Sequence, residues 1–157
     1  MSKYKSLLVG CLATTLLATT DLSRSLADEV PGAYFSFSQT DPQGVKRHFV
    51  FELSDPTRIA EARSILADPK SIKNHVQGVI VSSRTSYNPD WSFHLKPETV
   101  GFFEMQVEVC DANVTYVEKH LDEVGGSTLP RSFWCPWSSQ LDEEVTARID
   151  PATQKPK

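Results

Sequence analysis

The chain predicts an α+β fold: an antiparallel sheet of about five strands, two helices and one disulfide. Three observations lead there. Several short segments alternate apolar and polar residues, as half-buried strands do. Two other stretches repeat apolar residues at helical spacing. Their order is strand, strand, helix, strand, strand, strand, helix and then a cysteine-bearing segment, which suits an antiparallel sheet with helices on one side.

The first pair of strands is a hairpin. Phe35 and Phe37 share a face in Ala33 to Ser38, and Phe49, Phe51 and Leu53 share one in Lys46 to Leu53, with the turn residues Thr40-Asp41-Pro42-Gln43-Gly44 between them. Asp55-Pro56 then supplies an N-cap followed by proline at the first helical position. Ile59, Ala62, Ile65 and Leu66 recur at helical spacing until Asp68-Pro69 ends the run. Val76 to Ser82 reads as a buried strand and Arg84 to Asp90 as a loop.

Trp91, Phe93 and Leu95 alternate with Ser92 and His94. Beyond a Lys96-Pro97-Glu98 turn, Phe103, Met105, Val107 and Val109 alternate with Glu104, Gln106 and Glu108, so both stretches predict half-buried strands. A second helix from about Asn113 to Val124 carries Val114, Val117, Leu121 and Val124 on one face and stops at Gly125-Gly126. Thr128 to Ser139 reads as a loop or short strand. Residues 28–150 form a single domain, and residues 151–157, polar and proline-bearing, are expected to be disordered.

Residues 1–27 read as a secretory signal. Lys3 and Lys5 give a positive start, Ser6 to Thr20 are uncharged and rich in leucine, and Ser25 and Ala27 fit a small-residue cleavage site. Cleavage near Ala27 leaves a chain beginning at Asp28, in an extracellular or periplasmic space. Leu8-Val9-Gly10-Cys11 also looks like a lipoprotein acylation box. Its apolar stretch is shorter than the roughly 7 to 15 residues of a signal core, which makes lipidation at Cys11 the minor alternative. The uncharged run is too short to span a bilayer comfortably, and no transmembrane segment is expected.

With 16 Lys and Arg against 20 Asp and Glu, the chain carries a net charge of -4 and lacks the broad basic surface a nucleic acid requires. Removing the signal leaves 13 cationic against 19 anionic side chains, a net -6. Cys110 and Cys135 are then the remaining thiols in an oxidising space and are expected to pair. The alternative, a nucleophilic thiol, needs a nearby base and a reducing compartment.

All three tryptophans fall in two segments, Tyr87 to His94 and Phe133 to Ser139. Trp134 and Trp137 flank Cys135, which suits the shielding of a disulfide, and Trp91 suits a core position. The functional alternative is a groove lined by Tyr87, Trp134 and Trp137, with Asn88 as its polar handle, for a peptide or sugar. His94 lies on the polar face of its strand, where cross-strand pairing with Glu104 would make an acid/base dyad or an ordinary surface pair. Asp111 is a second carboxylate candidate.

His48, His75 and His120 show no metal-ligand spacing, so no metal or other cofactor is expected. A serine-nucleophile elbow and the phosphate-binding glycine motifs are also absent from the sequence. Asn113-Val114-Thr115 is a glycosylation sequon, meaningful in a eukaryotic host. The leading expectation is a small secreted binding or inhibitory module for an extracellular protein, peptide or glycan. The competing one is a secreted hydrolase using His94 and a neighbouring carboxylate.

Several words taken together carry a family resemblance: Tyr87-Asn88-Pro89-Asp90-Trp91-Ser92-Phe93-His94-Leu95, Phe102-Phe103-Glu104, Glu108-Val109-Cys110-Asp111-Ala112, His120-Leu121-Asp122-Glu123-Val124-Gly125-Gly126 and Trp134-Cys135-Pro136-Trp137-Ser138. Over about residues 33 to 145 the chain resembles the domain family named after the N-terminal domain of a slime-mould calmodulin-binding protein. The resemblance implies no catalytic assignment. Calmodulin is not expected as a partner, because its usual target is a basic amphipathic helix and neither helix here is basic on one face.

Overall fold

The computed structural model describes residues 32–107 and 109–157; the export segment, with Cys11, lies outside the described residues. Strands β1 (Ala33–Thr40) and β2 (Lys46–Leu53) form the expected hairpin, in register from Ala33 opposite Leu53 to Thr40 opposite Lys46. That register aligns Phe35 with Phe51 and Phe37 with Phe49, stacking the rings in pairs on the inner face. Its turn is held by one carboxylate. Asp41 Oδ1 accepts the amides of Gln43 at 3.0 Å and Val45 at 2.9 Å, while Oδ2 accepts Arg47 Nε at 2.9 Å. Gly44 sits at φ 78°, a left-handed conformation that a Cβ disfavours.

Helix α1 (Pro56–Ala67) begins where Asp55 accepts the Thr57 amide at 2.8 Å and ends at Asp68, as its flanking residues dictate. Ile59 and Ala62 are its buried contacts. Strand β3 (His75–Val81) buries Val76, Gly78 and Ile80 on alternate positions. Strands β4 (His94–Leu95), β5 (Gly101–Phe103) and, later in the chain, β8 (Phe133–Trp134) all pair antiparallel with β3.

Helix α2 (Val114–Lys119) is capped by Asn113, whose Oδ1 accepts the Tyr116 amide at 2.8 Å, and passes into a 3-10 turn at Leu121–Glu123. Strands β6 (Val124–Gly125) and β7 (Leu129–Pro130) make a short parallel pair. Strand β9 (Gln140–Glu144) returns to pair antiparallel with β1. The fold is therefore α+β with antiparallel strands and the Cys110–Cys135 disulfide. The strands divide into a sheet ordered β2-β1-β9, a second sheet centred on β3 and the small β6-β7 pair, rather than forming one five-stranded sheet.

Between the two larger sheets lies an aromatic core of Phe35, Phe37, Phe49, Phe51, Phe93, Phe102 and Trp134. A side cluster joins Tyr34 and Tyr87 to Val145 and Ile149. Gln39, itself buried, ties distant segments together: its Nε2 donates to Ser138 Oγ at 2.7 Å and its Oε1 accepts the Val114 amide at 2.7 Å.

Several expected elements differ. The strand foreseen over residues 103–109 is β5 alone. Phe103 pairs with His75, the first residue of β3, so the chain beyond it runs past its partner and has no edge to join. Trp91, Phe93 and Leu95 are buried as their alternation predicts, though strand pairing is confined to His94 and Leu95. The second helix is shorter than foreseen, leaving α geometry at His120. Residues 150–157, expected to be disordered, turn back, with Lys157 donating its amide to the Arg148 carbonyl at 2.8 Å and Asp150 to that of Lys155 at 2.8 Å.

Candidate functional site

The four aromatic-groove candidates do not meet. Trp134 is fully enclosed, its ring against Phe37, Phe49 and Phe93 and its Nε1 donating to the Ala112 carbonyl at 2.8 Å. Tyr87 is buried against Tyr34, with ring centroids 5.0 Å apart, in the side cluster. Asn88 is buried too, and its Oδ1 accepts the Val50 amide at 3.1 Å, clamping the 84–90 loop to β2. These three residues build the fold, because their polar atoms are spent on backbone partners and their rings on core neighbours. Of the four, Trp137 alone reaches solvent.

His94 and its proposed carboxylates are likewise apart. Strands β4 and β5 both pair with β3, at its two ends, and not with each other, so His94 does not stand opposite Glu104. His94 Nδ1 donates to the Ser83 carbonyl at 2.7 Å, Glu104 is exposed, and Asp111 Oδ1 accepts the Trp137 amide at 3.0 Å. The carboxylate whose field includes His94 is Glu52 on β2. Burial holds the Glu52 carboxyl above its ordinary range, and His94 opposes that shift. No sequence spacing signalled this pair, because β2 and β4 are brought together by the packing of two sheets.

Sequence reasoning also missed an apolar surface beside the disulfide. Among the described residues the large apolar side chains most exposed are six, and four belong here: Met105 at 71%, Val107 at 95%, Val109 at 69% and Trp137 at 39%. Both ends of the 103–111 segment rest on Trp137, through the Phe103 ring at 6.2 Å and the Asp111 carboxylate. Beneath, Cys110 and Cys135 are buried with Phe103, and Cys135 donates its amide to the Cys110 carbonyl at 2.9 Å. The bridge thus fixes an apolar ledge to the sheet. The signal lay in Met105, Val107 and Val109 themselves, whose alternation reads as a buried strand face until the missing partner edge is known.

Among the described residues no group of three or more His, Cys, Asp or Glu could hold a metal ion, and no helix is long and apolar enough to cross a membrane. No curated protein and no solved structure matches the chain. The profile of the BP-74 N-terminal domain matches residues 31–148, a span that takes in both sheets, both helices and the disulfide, and the chain belongs to that family.

Proposed function

We propose that this domain is an exported binding module, and that it docks an extracellular protein on the ledge formed by Met105, Val107, Val109 and Trp137. The observation that carries the reading is the exposure of these four side chains in one disulfide-tied region. Single exposed apolar residues are ordinary, whereas a gathered set marks an interaction surface. A tryptophan held at its ring by Phe103 and at its backbone by Asp111 loses little freedom on binding, which favours it as an anchor. The disulfide and the Lys3-to-Ala27 pattern support export, with the chain beginning at Asp28 and found outside the cell or in the periplasm.

Capture from extracellular medium, compared between the wild type and Trp137→Ala, tests the docking surface. Loss of about 2 kcal/mol, a roughly thirtyfold drop in affinity, is expected for a central tryptophan, with the melting temperature unchanged. Equal capture by both proteins overturns the assignment of this surface. Intact mass of the exported protein tests the cleavage, and a full-length cytosolic product overturns it.

A further inference from the structure

A cleft of about 480 Å³ opens between the β1–β2 turn and α2, with Arg47, His48, Asp90, Trp91, Thr115 and Lys119 among its walls. It lies within the roughly 300 to 1,000 Å³ of small-molecule sites. A smaller recess of about 230 Å³ shares Gln43, Thr115 and Lys119 with it and continues to Tyr116 and His120. The space is therefore a short channel along α2. None of its residues belongs to the apolar ledge.

Its polar parts are placed in advance. Arg47 is held through Nε by Asp41, a carboxylate already fixed by two backbone amides, and its two terminal nitrogens have no partner among the described residues. Trp91 is fixed by the hydrogen bond from its Nε1 to the His48 carbonyl at 2.9 Å and by the rings of Phe49 and Phe93. Lys119 lies in the last turn of α2. Neither it nor Asp90 has a charged partner among the described residues, although most cations of this acidic domain are paired, including Arg58 and Lys73 with Glu61, Arg63 with Glu144 and Arg148 with Glu143.

We propose that this cleft binds a uronate-bearing saccharide. The sugar carboxylate takes the terminal nitrogens of Arg47 and the ammonium of Lys119, in charge-assisted hydrogen bonds that Arg geometry favours. Ring hydroxyls donate to Asp90, which would repel a ligand made of carboxylates alone. The apolar face of the sugar lies on the uncovered part of Trp91. A polyphosphate or nucleic acid fits poorly, because a line of anionic groups would meet Asp90 and a net -4 surface. A neutral sugar leaves Arg47 and Lys119 without a counter-ion.

Calorimetric titration of the full chain with a galacturonic acid trimer tests this, beside the neutral trisaccharide of equal length, an acidic peptide and inorganic phosphate. Saturable binding of the uronate is expected, with the other three weaker. Lys119→Ala and Arg47→Gln should each lower the affinity about tenfold, the worth of one charge-assisted contact. Lys70→Ala, which removes a cation away from the cleft, should leave affinity unchanged. Lys119 is exposed on a short helix, so its variant reports on the site even if Arg47→Gln loosens the hairpin. The absence of saturable heat overturns the proposal, as does equal binding of the neutral sugar, peptide or phosphate. An equal loss in Lys70→Ala would show attraction by charge alone and overturn it too.

Discussion

The ring of Phe103 meets the ring of Trp137 edge-on, with centroids 6.2 Å apart, at the point where β5 loses its partner strand. This contact ends the sheet and begins the exposed ledge. Of the two tryptophans flanking Cys135, one therefore faces inward and the other outward, and they should behave differently when removed.

Trp134→Ala should cost about 3 to 5 kcal/mol of folding stability, because it leaves a cavity between three phenylalanine rings. It also leaves the Ala112 carbonyl without its indole donor. Trp137→Ala should cost about 1 kcal/mol or less, as half-exposed positions usually do. Urea unfolding of the two variants checks the contrast, and equal losses would place Trp137 in the core.

Opening the disulfide should destabilise the domain by about 3.5 kcal/mol, the chain-entropy value for a loop of this length. The joined residues are 25 apart in sequence, and their Cα atoms lie 5.2 Å apart. Unfolding midpoints with and without reductant measure the effect. Two alkylatable thiols in the denatured, unreduced protein would show instead that no bridge exists.

Asp41 links stability to acid. The amide of Val45 is the largest influence holding its carboxyl below the ordinary range; burial opposes this, and Arg47 and the Gln43 amide add to the lowering. A carboxyl with a depressed folded value stabilises the fold above its unfolded value, near pH 4, and loses that contribution as pH falls through the folded value. Asp41→Asn should therefore flatten the fall in melting temperature on acidification. A wild-type and variant pair with parallel acid profiles would contradict this.

Tyr87 does the converse in alkali. Burial pushes its hydroxyl up to about 12, with Glu52 and Tyr34 adding to the rise and Thr85 opposing it. The neutral phenol is then favoured by the fold, so this stability is complete below the unfolded value, near pH 10, and is lost as pH rises towards the folded value. Tyr87→Phe should flatten the alkaline branch of the stability profile. Phenolate absorbance followed through the same range should show one tyrosine ionising late.

Elements whose pattern agrees with their surroundings were legible in the sequence. The hairpin, α1 and β3 carry both the periodicity and the punctuation of their ends, in Asp41 to Gly44, Asp55-Pro56 and Asp68-Pro69. Strand β9 was not legible, since Gln140–Glu144 buries only Leu141 and reads as a solvated run. Its charges are matched across space: Asp142 accepts from Ser38 at 2.9 Å and lies 3.6 Å from Lys46, while Glu144 takes two nitrogens of Arg63 at 2.7 and 2.8 Å. The candidate site failed for a related reason. A tryptophan's type does not say whether its ring is enclosed, and the neighbours that enclose Trp134 come from β1, β2 and the approach to β4.

Strand β1 lies between the second strand to form and the last. Its pairing with β2 is local, but its other edge waits for β9, so that Phe35 finds Glu144 and Ser38 finds Gln140 only after nearly the whole domain has been made. Until then a row of free amides and carbonyls faces outward beside four phenylalanines, the kind of edge on which nascent chains pair with one another. Contacts of such long separation also slow folding, because the intervening chain must be closed before they form. A domain arranged in this way completes itself from its C-terminal end, and a truncation before Gln140 removes the strand that seals the first one.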